Sequence, residues 1–193
     1  MTLTPSTMPE LGTPAAPFTL PDTDGKLVGR DDFDSAAALL VVFWCNHCPY
    51  VQHIRAGFTQ FAEDYQPRGL AVVAINSNDV STHPDDDPAQ MRIEARKHGY
   101  SFPYLFDETQ QTALAYRAAC TPDFFLYDRD RRLVYRGQFD AARPGNELAV
   151  TGADLRRAVD ALLNGAPIPA DQRPSIGCNI KWKPGNEPVQ QHE

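Results

Sequence analysis

The sequence predicts an α/β domain: a central mixed sheet flanked by helices, preceded by a short hairpin and followed by a tail. Three observations carry that prediction. Two almost wholly apolar runs, 37–44 and 70–76, are rich in β-branched residues and short enough to be strands buried on both faces. Between them Val51, Ile54, Phe58 and Phe61 recur at helical spacing up to about Tyr65, so strand, helix and strand form a βαβ unit. Further on, 123–127 and 132–136 flank the turn 128–131 and read as a second hairpin.

The elements follow in order. Residues 1–14 are rich in Pro and Thr, lack periodicity and read as an N-terminal arm; 15–165 form the domain and 166–193 a tail that packs on it. Residues 18–28 read as a hairpin turning at Asp24-Gly25. Pro49 suits an early helical position, where its missing N–H would have no partner anyway, and Pro67-Arg68-Gly69 stops that helix. Residues 77–88 are polar. The run Asp85-Asp86-Asp87 lacks the alternate spacing of a calcium loop and reads as a solvated loop ending in a helix cap. Helices are expected at 89–98, 109–118 and 153–163, with a short strand at 104–107. In the tail, Ile176, Ile180 and Trp182 alternate with Gly177 and Lys181, which suits a strand-like segment with one apolar face.

The formal net charge of -7 argues against general binding to nucleic acid or to an anionic membrane. The longest apolar run, 36–45, is far shorter than the roughly 20 residues a spanning helix needs. The N-terminus has neither the basic region nor the apolar stretch of a secretory signal, so a soluble, cytoplasmic protein is expected. Four cysteines, Cys45, Cys48, Cys120 and Cys178, are too few for a disulfide-stapled scaffold, and in a reducing compartment a close pair is catalytic or metal-binding.

That pair is Cys45-Asn46-His47-Cys48, placed where the first long strand meets its helix. Unpaired N–H groups and the helix dipole at such a junction stabilise a thiolate. The expectation is that Cys45 is the exposed nucleophile, Cys48 the more buried resolving thiol, and His47 the residue that tunes the pair. No cofactor is required. A second element is Cys120-Thr121-Pro122, a proline at the head of a strand, where a cis bond is possible.

These pieces (18–26, 43–50 and 120–128) resemble the thioredoxin-like superfamily, in particular its peroxiredoxin-like redoxin branch (AhpC/TSA-like), over about residues 15–165. The segment 175–183 is similar to the tail of a bacterial group within it. The resemblance implies a thioredoxin-like fold and a dithiol–disulfide oxidoreductase. Such an enzyme acts on protein or small-molecule disulfides through a mixed disulfide and is recycled by a dithiol reductant. It also implies that Thr121 and Pro122 face the dithiol and pair with an extended substrate strand, with Trp44 at the substrate site. Two departures stand out. Peroxiredoxins carry Pro-X-X-X-Thr/Ser-X-X-Cys, but counting back from Cys48 gives Cys45 and Val41, and from Cys45 gives Val42 and Ala38. A thiol peroxidase is therefore the alternative rather than the first reading. Thioredoxins place a buried Asp before the motif, whereas 39–44 is wholly apolar.

A zinc-binding structural module would draw on Cys45, Cys48 and two of Cys120, Cys178, His47 and His53; it lacks a second Cys-X-X-Cys and ranks third, so no metal is expected. His53, His83 and His98 are expected at the surface. The tail is expected to bring Cys178 close to Cys120 as a second thiol pair, the lysines Lys181 and Lys183 favouring a thiolate there.

Overall fold

A computed structural model of the chain describes residues 3–188. Its centre is a five-stranded sheet with the order β6-β5-β4-β8-β9. Strand β4 (Ala38–Phe43) runs parallel to β5 (Leu70–Asn76), and β5 parallel to β6 (Tyr104–Phe106). Strand β8 (Asp123–Tyr127) lies antiparallel to β4, and β9 (Leu133–Tyr135) antiparallel to β8. The sheet is mixed, as its sequence pattern predicts.

Every residue of β4 is buried because the strand feeds two cores. Leu40, Val42 and Trp44 meet helices α1 (Pro49–Tyr65), α2 (Pro88–Lys97) and α4 (Ala153–Leu163) on one face. Leu39, Val41 and Phe43 meet α3 (Gln111–Tyr116) and the N-terminal hairpin on the other. Alternation of side chains along a strand makes this two-sided burial possible. Helix α1 directs Val51, Ile54, Phe58 and Phe61 inward, and the Phe58 ring touches those of Trp44, Phe102, Phe124 and Phe139. Each such fully buried aromatic contributes about 1.5–3 kcal/mol relative to an exposed one.

The expected hairpin is β2 (Thr19–Pro21) with β3 (Leu27–Gly29), turning through Gly25 at φ +83°. The end of α1 passes into a 3-10 turn closed by Gly69 at φ +99°.

One segment differs from its sequence reading. Within the segment read as an aperiodic arm, β1 (Leu3–Pro5) is a strand, and residues 12–15 run along the edge of β9 through backbone bonds from Gly12 N to Leu133 O and from Leu133 N to Thr13 O. Periodicity misses them because so short a strand has no repeat to detect. The strand-like segment expected in the tail is β10 (Ile176–Asn179), which lies between β1 and the two-residue β7 (Cys120–Thr121) in a separate three-stranded sheet. Beyond it, Asp79 N donates to Lys181 O at 2.8 Å, Lys181 N to Asn78 Oδ1 at 2.9 Å, and Lys183 N to Gln110 Oε1 at 2.8 Å. No helix among the described residues is long and apolar enough to cross a membrane.

Candidate active site: a buried three-thiol cluster under a carboxylate clamp

Pro49 fixes the start of α1 one residue after the second cysteine, so Cys48 is the N-cap, in extended conformation, and Cys45 lies outside the helix. The Thr121–Pro122 bond is cis and faces the dithiol. The Thr121 hydroxyl lies 3.3 Å from Cys45 Sγ, and Cys48 Sγ as a thiol donates to the Thr121 carbonyl at 3.1 Å. Both cysteine side chains are fully buried. The expected contrast between an exposed Cys45 and a buried Cys48 is therefore absent here.

The loop Cys45–Cys48 is held from the other side by Asp86. Its Oδ1 accepts from Asn46 N at 2.8 Å and from His47 N at 3.2 Å; its Oδ2 accepts from His47 Nδ1 at 2.5 Å and from Asn78 Nδ2 at 2.8 Å. Asn76 at the end of β5 donates to the Asp86 carbonyl at 2.7 Å. Asn46 is fixed in turn, its amide donating to Asp85 O at 2.8 Å while its Oδ1 accepts from Tyr104 OH at 3.0 Å. The reading of 85–87 as a solvated loop thus needs correction at its middle residue. Asp87 does cap α2, accepting from Gln90 N at 2.8 Å, but Asp86 is fully buried. Composition alone cannot separate these neighbours. The available signal was the buried loop's unmet N–H groups, which require an acceptor from somewhere in the chain.

The clamp sets the charges. Burial works to raise the Asp86 carboxyl, but the His47 and Asn78 hydrogen bonds outweigh it and hold it below the usual range. The bond to Asp86 raises His47 despite its partial burial. His83 stacks on His47 at 5.1 Å between ring centroids and is lowered, first by burial and then by the His47 charge. His53, His83 and His98 are all half-buried rather than exposed.

Among the thiols, Cys48 is lowered by hydrogen bonds from the Cys178 and Cys45 thiols, with the Val51 N–H in the first turn of α1 adding to them. Cys45 is raised, by burial first, then by Cys48 and the nearby Asp86 charge. Cys178 is raised by its bond to Cys48 and by burial. These shifts favour ionisation at Cys48 over Cys45 and Cys178.

The remaining sequence candidates fall as follows. Trp44 does not reach the surface. It is fully buried against Phe58, and its indole N–H is spent on Tyr100 OH at 3.1 Å. The strand edge at Thr121, expected to receive a substrate, is occupied by β10, with Cys178 opposite Thr121 and Asn179 opposite Cys120. Directly opposed side chains share a face and successive ones alternate. Cys178 accordingly lies on the dithiol face, while Cys120 turns away and its Sγ approaches Pro122 O at 3.6 Å. The expected Cys120–Cys178 pair is thus replaced by a Cys48–Cys178 contact, a difference of one residue in register. Cys45, His47 and Asp86 bring ligand-type atoms within 4.8 Å of one another. Both Asp86 oxygens and His47 Nδ1 are already engaged there, so the arrangement as built is a hydrogen-bonded clamp.

Comparison with other proteins agrees with this fold. A hypothetical protein of Sinorhizobium meliloti 1021 is 56% identical, with a TM-score of 0.93 over 94% of this chain and 100% of that one. An uncharacterized conserved protein of Geobacillus kaustophilus is 52% identical, with a TM-score of 0.93 over 95% of this chain and 98% of that one. A thiol:disulfide interchange protein of the thioredoxin family from Chlorobium tepidum TLS, 19% identical, shares the fold with a TM-score of 0.61 over 80% of this chain and 99% of that one. No curated protein matches the chain. The pattern of the AhpC/TSA family matches residues 11–136, a stretch that takes in the dithiol, the Asp86 clamp and the cis-proline, and the chain accordingly belongs to the AhpC/TSA family.

Proposed function

We propose that the protein is a dithiol–disulfide oxidoreductase in which Cys45 and Cys48 form the redox couple. Family membership and the thioredoxin-like neighbours support a redox function. The observation that favours the dithiol reaction is the placement of both sulfurs on Thr121, 3.3 Å from its hydroxyl and 3.1 Å from its carbonyl, ahead of the cis-proline. The directions of the shifts favour Cys48 as the attacking thiolate, the reverse of the order expected from position. Its sulfur attacks one sulfur of a substrate disulfide, and the other leaves as a thiolate that takes a proton from solvent. Cys45 gives up its proton, attacks Cys48 Sγ in the mixed disulfide and releases the reduced substrate. A dithiol reductant then returns the couple to two thiols. The partners in this reading are protein or small-molecule disulfides.

A second reading, a thiol peroxidase, draws on the Thr121 hydroxyl beside Cys45, which supplies from a distant strand the group the local motif lacks. That hydroxyl touches the thiol held protonated, and disulfide exchange is the better fit. The test is reduction of insulin disulfides driven by dithiothreitol, run beside peroxide consumption under the same reductant. Wild type should accelerate the first and not the second, and Cys48→Ser should abolish the acceleration. Full activity in Cys48→Ser, or peroxide turnover exceeding disulfide turnover, overturns the reading.

A further inference from the structure

We infer that Cys178 is a third redox thiol and the alternative disulfide partner of Cys48. The inference rests on the reading of Cys45 and Cys48 as a redox couple and adds to it a strand from the far end of the chain.

Four observations converge. Cys178 lies directly opposite Thr121, the residue that touches both dithiol sulfurs, and it packs in the same core cluster as Cys45 and Cys48. Helix α1, which Cys48 caps, packs directly against β10, the strand that carries Cys178. The residue before it is Gly177, where a Cβ would stand 1.9 Å from the Thr121 carbonyl oxygen. Only glycine lets β10 approach that closely, and the approach is what delivers Cys178. Finally, the strand is anchored along its length: β1 pairs its outer edge, Ser175 Oγ donates to Pro122 O at 2.6 Å, and Ile180 N donates to Ala119 O at 3.1 Å. Cys178 is 1% exposed, so the arrangement holds its sulfur against Cys48 and away from solvent.

The edge beside the cis-proline is therefore filled by the chain's own strand, and that strand carries a cysteine next to the reactive sulfur. In the oxidised protein the Cys178 thiolate attacks Cys48 Sγ. The Cys48–Cys178 bond forms, the Cys45–Cys48 bond breaks, and Cys45 leaves as a thiolate that takes up the proton Cys178 gave away. Two electrons remain withdrawn from the protein throughout, so no outside oxidant is needed for the exchange. Its products are a free Cys45 thiol and a β10 strand covalently tied to the start of α1.

The experiment uses the full chain. Cys45→Ser is treated while folded with diamide, which takes two electrons and two protons for each disulfide closed, and is digested without reduction and mapped by mass spectrometry. The expected result is a Cys48–Cys178 link within one molecule in most chains, lost in Cys45→Ser/Cys178→Ala. In parallel, oxidised wild type is trapped with iodoacetamide. Label on Cys45 marks the Cys48–Cys178 form and label on Cys178 marks the Cys45–Cys48 form, so this arm decides by itself if the variant does not fold. Cys45 should carry label in at least a tenth of the chains. Folded Cys45→Ser that leaves Cys48 and Cys178 both alkylatable after diamide, or wild-type label confined to Cys178 and Cys120, overturns the inference and leaves the proposed function intact. A wild type that closes no Cys45–Cys48 disulfide while Cys45→Ser closes Cys48–Cys178 overturns the proposed function and supports the third thiol.

Discussion

Replacing Asp86 by Asn is nearly isosteric and removes one charge from the middle of the site. Asn keeps one acceptor oxygen, which can still serve the Asn46 and His47 backbone N–H groups. Its amide NH2 replaces the oxygen that accepts from His47 Nδ1 and Asn78 Nδ2, so two donors lose their partner and two new N–H groups are buried without one. A hydrogen bond to a charged group is worth about 1.5–3 kcal/mol, so losing two costs about 3–6 kcal/mol before the loop relaxes. With relaxation and a neutral His47, a net loss of about 3 kcal/mol is the central expectation, a large share of the 5–15 kcal/mol that typically holds a domain together. For a chain of this size that corresponds to a fall of about 6–12 °C in melting temperature.

The same change moves two titrations in stated directions. His47 loses the partner that raises it and titrates lower, and Cys45 loses a neighbouring negative charge that raises it and becomes easier to ionise. Urea unfolding at pH 7, a side-chain NMR titration of His47 and the alkylation rate of Cys45 together read all three effects. A stability loss below about 1 kcal/mol, the size of a single ordinary hydrogen bond, with an unmoved His47 titration would refute the clamp.

Two other perturbations have defined signs. Asp123 is fully buried with Oδ1 unpartnered, and burial pushes its carboxyl up to about 7. A raised folded-state value means stability is greatest below the unfolded value near 4 and falls as pH rises to 7. Asp123→Asn should therefore match or fall below wild type at pH 4 and gain up to about 4 kcal/mol relative to it by pH 8, as urea midpoints at the two pH values will read; an equal difference at both sinks the argument. Gly177→Ala should pull β10 away from Thr121, raising the alkylation rates of Cys48 and Cys178 together while circular dichroism of the central domain stays near wild type; unchanged thiol protection shows that β10 does not cover the site.

The sequence made the central sheet legible because its cues are local and strong. A fully apolar strand, a helix opening on Pro49 and a periodic apolar face put β4, α1, β5 and α4 within a residue or so of their expected bounds. The dithiol and the proline facing it were legible for the same reason, since each belongs to a short motif. What escaped depends on pairings between distant segments. Asp86 looks like its two acidic neighbours until the loop 40 residues before it supplies donors. Trp44 continues an apolar strand, and whether its ring meets solvent is decided by Phe58 and Tyr100, which lie on other elements. The partner of Cys178 depends on a register that a shift of one residue reverses, and no feature of the tail alone fixes that register.

Weaving β10 between segments 3–5 and 120–121 also imposes an order on biosynthesis. The cysteines at 45 and 48 leave the ribosome long before 176–179 are translated, and at about 5–20 residues per second that interval is on the order of 10 s. Through it the sulfurs lack the strand that later shields them and the third thiol that later neighbours them. The candidate site, whose dithiol lies in the first quarter of the chain, is therefore complete only once residues 176–179 have been translated.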